Sequence, residues 1–509
     1  MDGARCIGGT KMILAQDGVG VLLDFGLNYN QMGKFFEEFL KPRSNKGLAD
    51  YLDMGLLPGY ADLYRQDALP QSDRFQNMAT TGLQVVAAIF SHPHFDHTGM
   101  AGFLRPDMEF YGTPECALTS KASQDIRPDI STEIAYLKPR LWKDGALTSP
   151  SKKAEKVAVV RRWKLFSDDL NQELLEFWDA VPYSSYQVLP AEPEFVGLET
   201  TVGPFRLKVF PVDHSAPGAA GFALETEAGW VVYTGDLRLH GFAGGKTKRF
   251  VEEASGLKPL RALIIEGTRI PKPGEEAKES PAEEEVASRL LQLGKRAEAA
   301  LNAEFPYRHP ERLMSFYNVA KELGRKMVLM PGEFYTIKAI SSVVPELRDV
   351  LSDVLVYKEA RVRPSGWEKT LLEDEKVQWI TPEEISQDVS GFLTCFRYWN
   401  INRLLDIGHM RNGMHIYSTS EPHSEEQEWD LARLRNWLEY FGMEMVGGPK
   451  EHPDDPLHAS GHASSQELLE IVRALEPQEL IPVHTFNPEF YQEHLSCCRI
   501  RYPEEKMPL

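Results

Sequence analysis

The chain has 509 residues, 42% of them hydrophobic, and a formal net charge of −19. Such a length supports one to four domains, and the acidic balance argues against a broad electrostatic grip on nucleic acid while leaving room for a local basic channel. No basic segment with an apolar stretch opens it, no run approaches the roughly eighteen apolar residues of a membrane span, and five scattered cysteines (Cys6, Cys116, Cys395, Cys497, Cys498) form no C-x-x-C pair, so the sequence reads as soluble and cytoplasmic, without a disulfide framework or a cysteine zinc site.

Along the chain, short β-branched and apolar runs recur with glycines between them: VGVLLDFG (19–26), VVAAIFSH (85–92), FRLKVFPVDHS (205–215), WVVYTGD (230–236) and RALIIEGT (261–268). They read as buried strands of a layered α/β fold, and each ends in polar residues, where such folds keep their chemistry. Between the second and third, Leu137 to Lys164 is locally basic with two tryptophans and reads as a solvated surface rather than a nucleic-acid-facing arm. From about Lys272 to Ala300 the composition turns acidic and helix-favouring, and residues 309–332 (HPERLMSFYNVAKELGRKMVLMPG) read as an amphipathic helix leading into a strand. A second α/β unit is expected over 271–448. It interrupts a first domain whose early part is 1–270 and whose final part, 449–509, returns with the loop, helix and strand of LHASGHASSQELLEIVRALEPQELIPVHTF (457–486).

The chemistry concentrates in FSHPHFDHTG (90–99), three histidines and an aspartate within six positions. In extended backbone residues i and i+2 point the same way, so His92 and His94 converge on one cation. Asp96 and His97 follow as the chain turns into a helix and aim at a neighbouring position. Imidazole and carboxylate suit zinc first and manganese second, and two such ions about 3.5–4 Å apart form a clamp for hydrolytic phosphoryl chemistry. The missing ligands stand at other strand ends: His214 completes the first site, His484 the second, and Asp236 bridges them.

The spaced string His92-x-His94-x-Asp96-His97, then His214, then the Gly235-Asp236 of YTGD, resembles the metallo-β-lactamase superfamily, which implies a four-layer αβ/βα sandwich. Asp24 resembles the early aspartate that buttresses the metal loop there, and CIGGTKMIL (6–14) the stretch before it, with the preceding strand expected to be nearly missing. Glu266, His462 and His484 resemble motifs A, B and C of the β-CASP nucleases, ribonuclease J among them, in which an α/β domain is inserted before the last part of the hydrolase fold. LGRKMVL (323–329) and IYSTSEP (416–422) are similar to that inserted domain.

The resemblance implies a metal-dependent phosphodiesterase that cleaves single-stranded RNA with a two-metal-activated hydroxide. Histidine at motif C favours RNA over DNA. VHTFNPE (483–489) departs from the group's Val-His-Gly-Glu and leaves exonuclease and endonuclease action both open. His462 is implied to stabilise developing charge or protonate the leaving oxygen. Glu266 and Asp24 are implied to orient ligands or His462. Ser460, Ser464 and Ser465 are candidates for holding a substrate phosphate, although Ser464 also stands in capping-box spacing with Glu467. Phe334, Tyr335, Tyr398 and Trp399 are stacking candidates with a core role as the favoured alternative. A small-molecule hydrolase (thioester, lactone or β-lactam) shares the first motifs, and a DNA-directed nuclease shares them all but the histidine of motif C. No membrane partner is expected, and the oligomeric state is open.

Overall fold

The computed structural model describes residues 2–169, 171–182, 186–408, 410–449 and 457–502. The chain divides into two compact units: Met1–Leu239 with Ala243–Lys278 and His462–Leu509, and His240–Phe242 with Glu279–Gly461.

In the first unit two sheets share a core. One has six strands in the order Lys11–Gln16, Val19–Phe25, Gln84–Ile89, Glu109–Gly112, Trp163–Phe166 and Glu194–Val196, antiparallel in the first pair and parallel thereafter. The other has seven, in the order Glu199–Val202, Phe205–Pro211, Ala220–Thr226, Gly229–Tyr233, Leu260–Ile265, Glu479–Pro482 and Arg499–Ile500, antiparallel over the first four and parallel over the rest. All five runs read as strands lie in these two sheets.

The period of two divides their apolar residues between layers. Ala262 and Ile264 face the shared core, with Val21, Leu23, Ala87 and Ile89 of the first sheet and Val209, Phe222 and Val231 of the second. Leu263 and Ile265 face the other way, against Phe250 and Ala254 of the helix Gly244–Ser255 and Leu468, Leu469, Val472 and Leu475 of the helix Ser465–Leu475. That last helix puts its apolar residues at i, i+1, i+4 and i+7, a single stripe, and starts on a capping box between Ser464 and Glu467. The helix Pro114–Ile126 packs beside the strand Trp163–Phe166, and the Trp163 ring lies 5.7 Å from Phe90 and 6.0 Å from Trp178. The result is the four-layer αβ/βα sandwich. Before its first strand the described residues form only one antiparallel bridge, Asp2 with Lys11.

The basic stretch 137–164 is not a plain solvated face. Lys143, Lys152 and Lys153 are exposed, but Arg161 and Trp163 are buried. The Arg161 guanidinium donates to the carbonyls of Ala101, Gly102, Leu104, Arg105 and Glu133, a structural use of a cation that composition alone does not reveal.

The second unit holds a seven-stranded, wholly parallel sheet in the order Trp379–Ile380, Leu355–Tyr357, Lys326–Leu329, Phe392–Thr394, Leu301–Glu304, Met414–Tyr417 and Glu444–Val446. Val328, Tyr357, Phe396, Leu434 and Leu438 belong to its core. Within the acidic segment 272–300 the helix is confined to Glu283–Arg296, with glutamates in its first turn and Lys295 and Arg296 in its last, the arrangement that complements the helix dipole. Arg312 and Ser418 both donate to the Leu457 carbonyl. They retain that residue in the second unit, so the return to the first begins at His462 rather than at 449. Among the described residues no helix is long and apolar enough to cross a membrane.

Phe222 is fully buried where the two sheets meet. Phe222→Ala should cost about 3–5 kcal/mol, read as a lower urea midpoint of the first unit, and an unchanged midpoint would contradict closure of the sandwich on this ring.

Candidate metal centre

All the strand-end residues singled out in the first unit's sequence meet at one end of its sandwich. The strand Gln84–Ile89 passes into an extended segment carrying Ser91, His92 and His94, and His94 stands at the N-terminus of the four-residue helix Phe95–Thr98, which carries Asp96 and His97. His214 follows Phe205–Pro211, Asp236 follows Gly229–Tyr233, Glu266 follows Leu260–Ile265, His484 follows Glu479–Pro482, and His462 precedes the helix Ser465–Leu475.

Two groups of donor atoms adjoin. In the first, His94 Nδ1 lies 3.2 Å from His92 Nε2 and 3.2 Å from His214 Nε2. In the second, His484 Nε2 lies 3.1 Å from Asp96 Oδ2 and 3.3 Å from His97 Nε2, and His97 Nε2 is 3.1 Å from Asp236 Oδ2. Asp236 Oδ2 also stands 3.7 Å from His92 Nε2 and 3.7 Å from His484 Nε2, so one carboxylate faces both groups. Within each group the donor atoms lie within 4.8 Å of one another. Imidazole nitrogens and carboxylate oxygens, buried or half-buried and gathered in two adjoining groups with no thiolate among them, suit divalent cations of the zinc or manganese kind.

The electrostatics agree. Burial, which disfavours the charged imidazole, holds His92 well below its ordinary value and brings His94 to about 4, so both are neutral and able to ligate at pH 7. At His97 burial acts in the same sense, but Asp236, Asp24 and Asp96 outweigh it and raise the group well above its ordinary range. The three carboxylates demand positive charge at this point. Burial opposes ionisation of Asp96 and Asp236 as well, yet the imidazoles around them keep both low.

A set of hydrogen bonds orients the ligands. Asp24 accepts from the Ser91 backbone N–H (2.8 Å), the Ser91 hydroxyl (2.7 Å) and the Tyr233 hydroxyl (2.6 Å), and lies 2.8 Å from His97 Nδ1. With Nδ1 engaged, His97 turns Nε2 to the donor group. Thr268 Oγ1, 2.8 Å from His484 Nδ1, and Ser91 Oγ, 3.0 Å from His92 Nδ1, do the same for those rings. Both Glu266 oxygens lie 3.0 Å from His462 Nδ1, while the Leu237 and Thr268 N–H groups donate to them. Burial lowers His462, but Glu266 more than reverses this and raises the imidazole to about 9.

Backbone strain sits at the same place. Asp24 (φ 55°) and His484 (φ 54°) are non-glycine residues in the left-handed region, a conformation costing about 1–3 kcal/mol that persists where surroundings over-determine it. Gly26 allows the closest approach of all, since a Cβ there would fall 1.6 Å from the Asp96 carbonyl oxygen.

Of the serines, Ser464 spends its hydroxyl on the capping box with Glu467 (2.9 Å) and Ser465 opens the helix. Ser460 lies in the second unit, where its N–H donates to Ser280 Oγ. Phe334 and Tyr335 are buried, Tyr398 is partly exposed and Trp399 is 61% exposed. Sequence reasoning missed Ser91, Tyr233, Thr268 and the Tyr491 hydroxyl that donates to the Glu266 carbonyl. Ser91, directly before His92, and Thr268, two residues beyond Glu266, carry a positional hint.

Asp24→Asn should weaken binding of zinc about 10–100-fold without removing a donor, measured by competition with a chelating dye. Wild-type affinity would show that the carboxylate does not orient His97.

Residues 455–489, which include His462 and His484, match the family model described as the Zn-dependent metallo-hydrolase RNA specificity domain (RMMBL). Ribonuclease J of Thermus thermophilus is 27% identical over 286 residues, 55% of this chain and 45% of that protein. Ribonuclease J of Mycolicibacterium smegmatis is 24% identical over 55% of this chain and 47% of its own length. The chain thus matches about half the length of these relatives. Ribonuclease J of Pyrococcus abyssi is 22% identical over 433 residues, 83% of this chain and 78% of its own. A crystal structure of a protein of unknown function from Enterococcus faecalis V583 superposes with a TM-score of 0.65 at 20% identity, covering 99% of this chain and 96% of that one.

Proposed function

We propose that the chain is a ribonuclease J-like, metal-dependent hydrolase of the metallo-β-lactamase and β-CASP type, which cleaves the phosphodiester bonds of single-stranded RNA. The observation that carries this reading is the pairing of two adjoining donor groups, joined at Asp236, with the Glu266–His462 pair 3.0 Å apart beside them. The matched RNA-specificity segment contains His462 and His484. The unit Glu279–Gly461 takes the part of the inserted β-CASP domain, and the reduced cysteines fit the cytoplasm.

His92, His94 and His214 would hold one divalent cation and Asp96, His97 and His484 another, with Asp236 shared and zinc favoured over manganese by the imidazole-rich set. Bound there, such cations supply Lewis-acid charge to the phosphate and lower the pKa of water. The protein's own groups do the rest. Asp24, Ser91 and Thr268 fix the ring orientation of His97, His92 and His484. Glu266 holds His462 in its protonated form near neutral pH, placing a proton donor where the 3′ oxygen departs or where charge gathers on the non-bridging oxygens. Balanced in this way, hydrolysis leaves a 5′ phosphate on one product and a 3′ hydroxyl on the other.

The test is incubation of metal-loaded protein with 5′-monophosphorylated single-stranded RNA and matching DNA, each labelled at either end. RNA should shorten and DNA should persist. The label that is released first tells exonuclease from endonuclease action and gives direction. Chelation, His94→Ala or Asp236→Asn should abolish cleavage, and His462→Ala should slow it about 10²–10⁴-fold. Intact RNA with cations demonstrably bound would shift the assignment to a small-molecule ester or thioester, and equal loss of DNA would remove the RNA preference.

A further inference from the structure

The helix Glu425–Phe441 of the second unit has two faces of different use. Leu431, Leu434, Leu438 and Phe441 are buried in the core of that unit, the apolar stripe by which a surface helix is seated. Trp429, Arg433, Asn436 and Tyr440 are exposed. Because each residue advances about 100° around a helix, these four form a line pointing directly away from the core. Two large aromatic rings stand on that line, Trp429 at 60% exposure and Tyr440 at 75%, and the packing of the unit has no use for them.

Their spacing and order identify what covers them. The four residues are separated by four, three and four positions, the spacing of a two-stranded coiled-coil seam. The set is also symmetric about the midpoint between Leu434 and Arg435, with Arg433 and Asn436 inside and Trp429 and Tyr440 outside. A second copy of the helix, turned antiparallel about a twofold axis at that midpoint, sets Trp429 against Tyr440 twice and Arg433 against Asn436 twice. Ring then meets ring, and guanidinium meets an amide oxygen. A parallel copy would instead place Arg433 against Arg433. The polar pair at the centre fixes the register.

Charge favours the same arrangement. Glu425, Glu426 and Glu428 crowd the first turn. The exposed Arg411 packs at the other end, its Cγ 3.5 Å from where a Cβ on Gly442 would stand. Reversal brings the glutamates of each copy to the arginine of the other and opposes the two helix dipoles. Arg433 is held ready for its contact, donating to the Asp430 carboxylate at 2.9 Å and to the Tyr398 hydroxyl.

We propose that this face is a self-association surface, on which a second copy of the chain docks by antiparallel pairing of Glu425–Phe441 with itself. A contact centred on one helix of 17 residues, about 25 Å long, buries less than the roughly 800 Å² per partner of a standard interface. The dimer therefore forms in the micromolar range.

The test is sedimentation velocity of the full chain from low micromolar concentration upward. Wild type should pass from monomer to dimer. Trp429→Ala and Tyr440→Ala should each weaken the dimer roughly tenfold, since each ring is used twice, with the urea midpoint of the second unit kept. Orientation is read by mixing R433C protein with N436C protein under mild copper-phenanthroline oxidation, which should join positions 433 and 436 of two chains faster than either variant bridges alone. A wild type that stays monomeric, a dimer that both alanine variants leave intact, or R433C bridging to itself as fast as the mixture would each overturn the pairing.

Discussion

Buried negative charge is the constraint on which the first unit is organised. Asp24, Asp236 and Glu266 are each no more than 2% exposed, and a carboxylate so placed without compensation costs several kcal/mol. Each is met by donors from different segments: Ser91, Tyr233 and His97 for Asp24, the imidazoles for Asp236, and Leu237, Thr268 and His462 for Glu266. Removing any one partner leaves a charge without compensation in low dielectric, so each of these contacts ties its loop to the others.

Much of this was legible in the sequence, and the reason is geometric. Alternation of side chains in extended backbone made His92 and His94 neighbours, and the polar residues ending five apolar runs were bound to gather once those runs became strands of facing sheets. The capping spacing of Ser464 and Glu467 was equally readable. Partners drawn from distant strands were not. Tyr233 meets Asp24 across 209 positions of sequence and Thr268 meets His484 across 216, and no local period encodes such pairings. Arg161 was misread for a related reason, since a cation in a basic stretch gives no sign that its donors will be consumed by backbone carbonyls. The resumption point of the first unit also escaped, because contacts of Leu457 with Arg312 and Ser418 decide it, and composition does not change there.

The two units repeat one physical device in different chemistry. In each, strands terminate together and hand their polar residues to a common edge, so the sheet spends its middle on stability and its ends on recognition. The first unit gathers imidazoles and carboxylates into a dry cluster suited to small, highly charged ions. The second gathers the Arg308 and Arg397 guanidinium groups around the Tyr307 ring.

The discontinuity of the first unit also bears on the order in which the protein is made. Its six-stranded sheet is encoded before residue 200, but His462 and His484 lie beyond the whole of the second unit, and the His484 N–H donates back to the Gly3 carbonyl. During synthesis the ribosome releases His92, His94, Asp96, His97, His214 and Asp236 long before the last donors appear. The nascent chain therefore passes through an interval with most of its carboxylates and imidazoles assembled and the cluster still open to solvent, while the second unit, continuous but for three residues, can fold on its own schedule. The donor set of the centre is therefore complete only once His484 has been made.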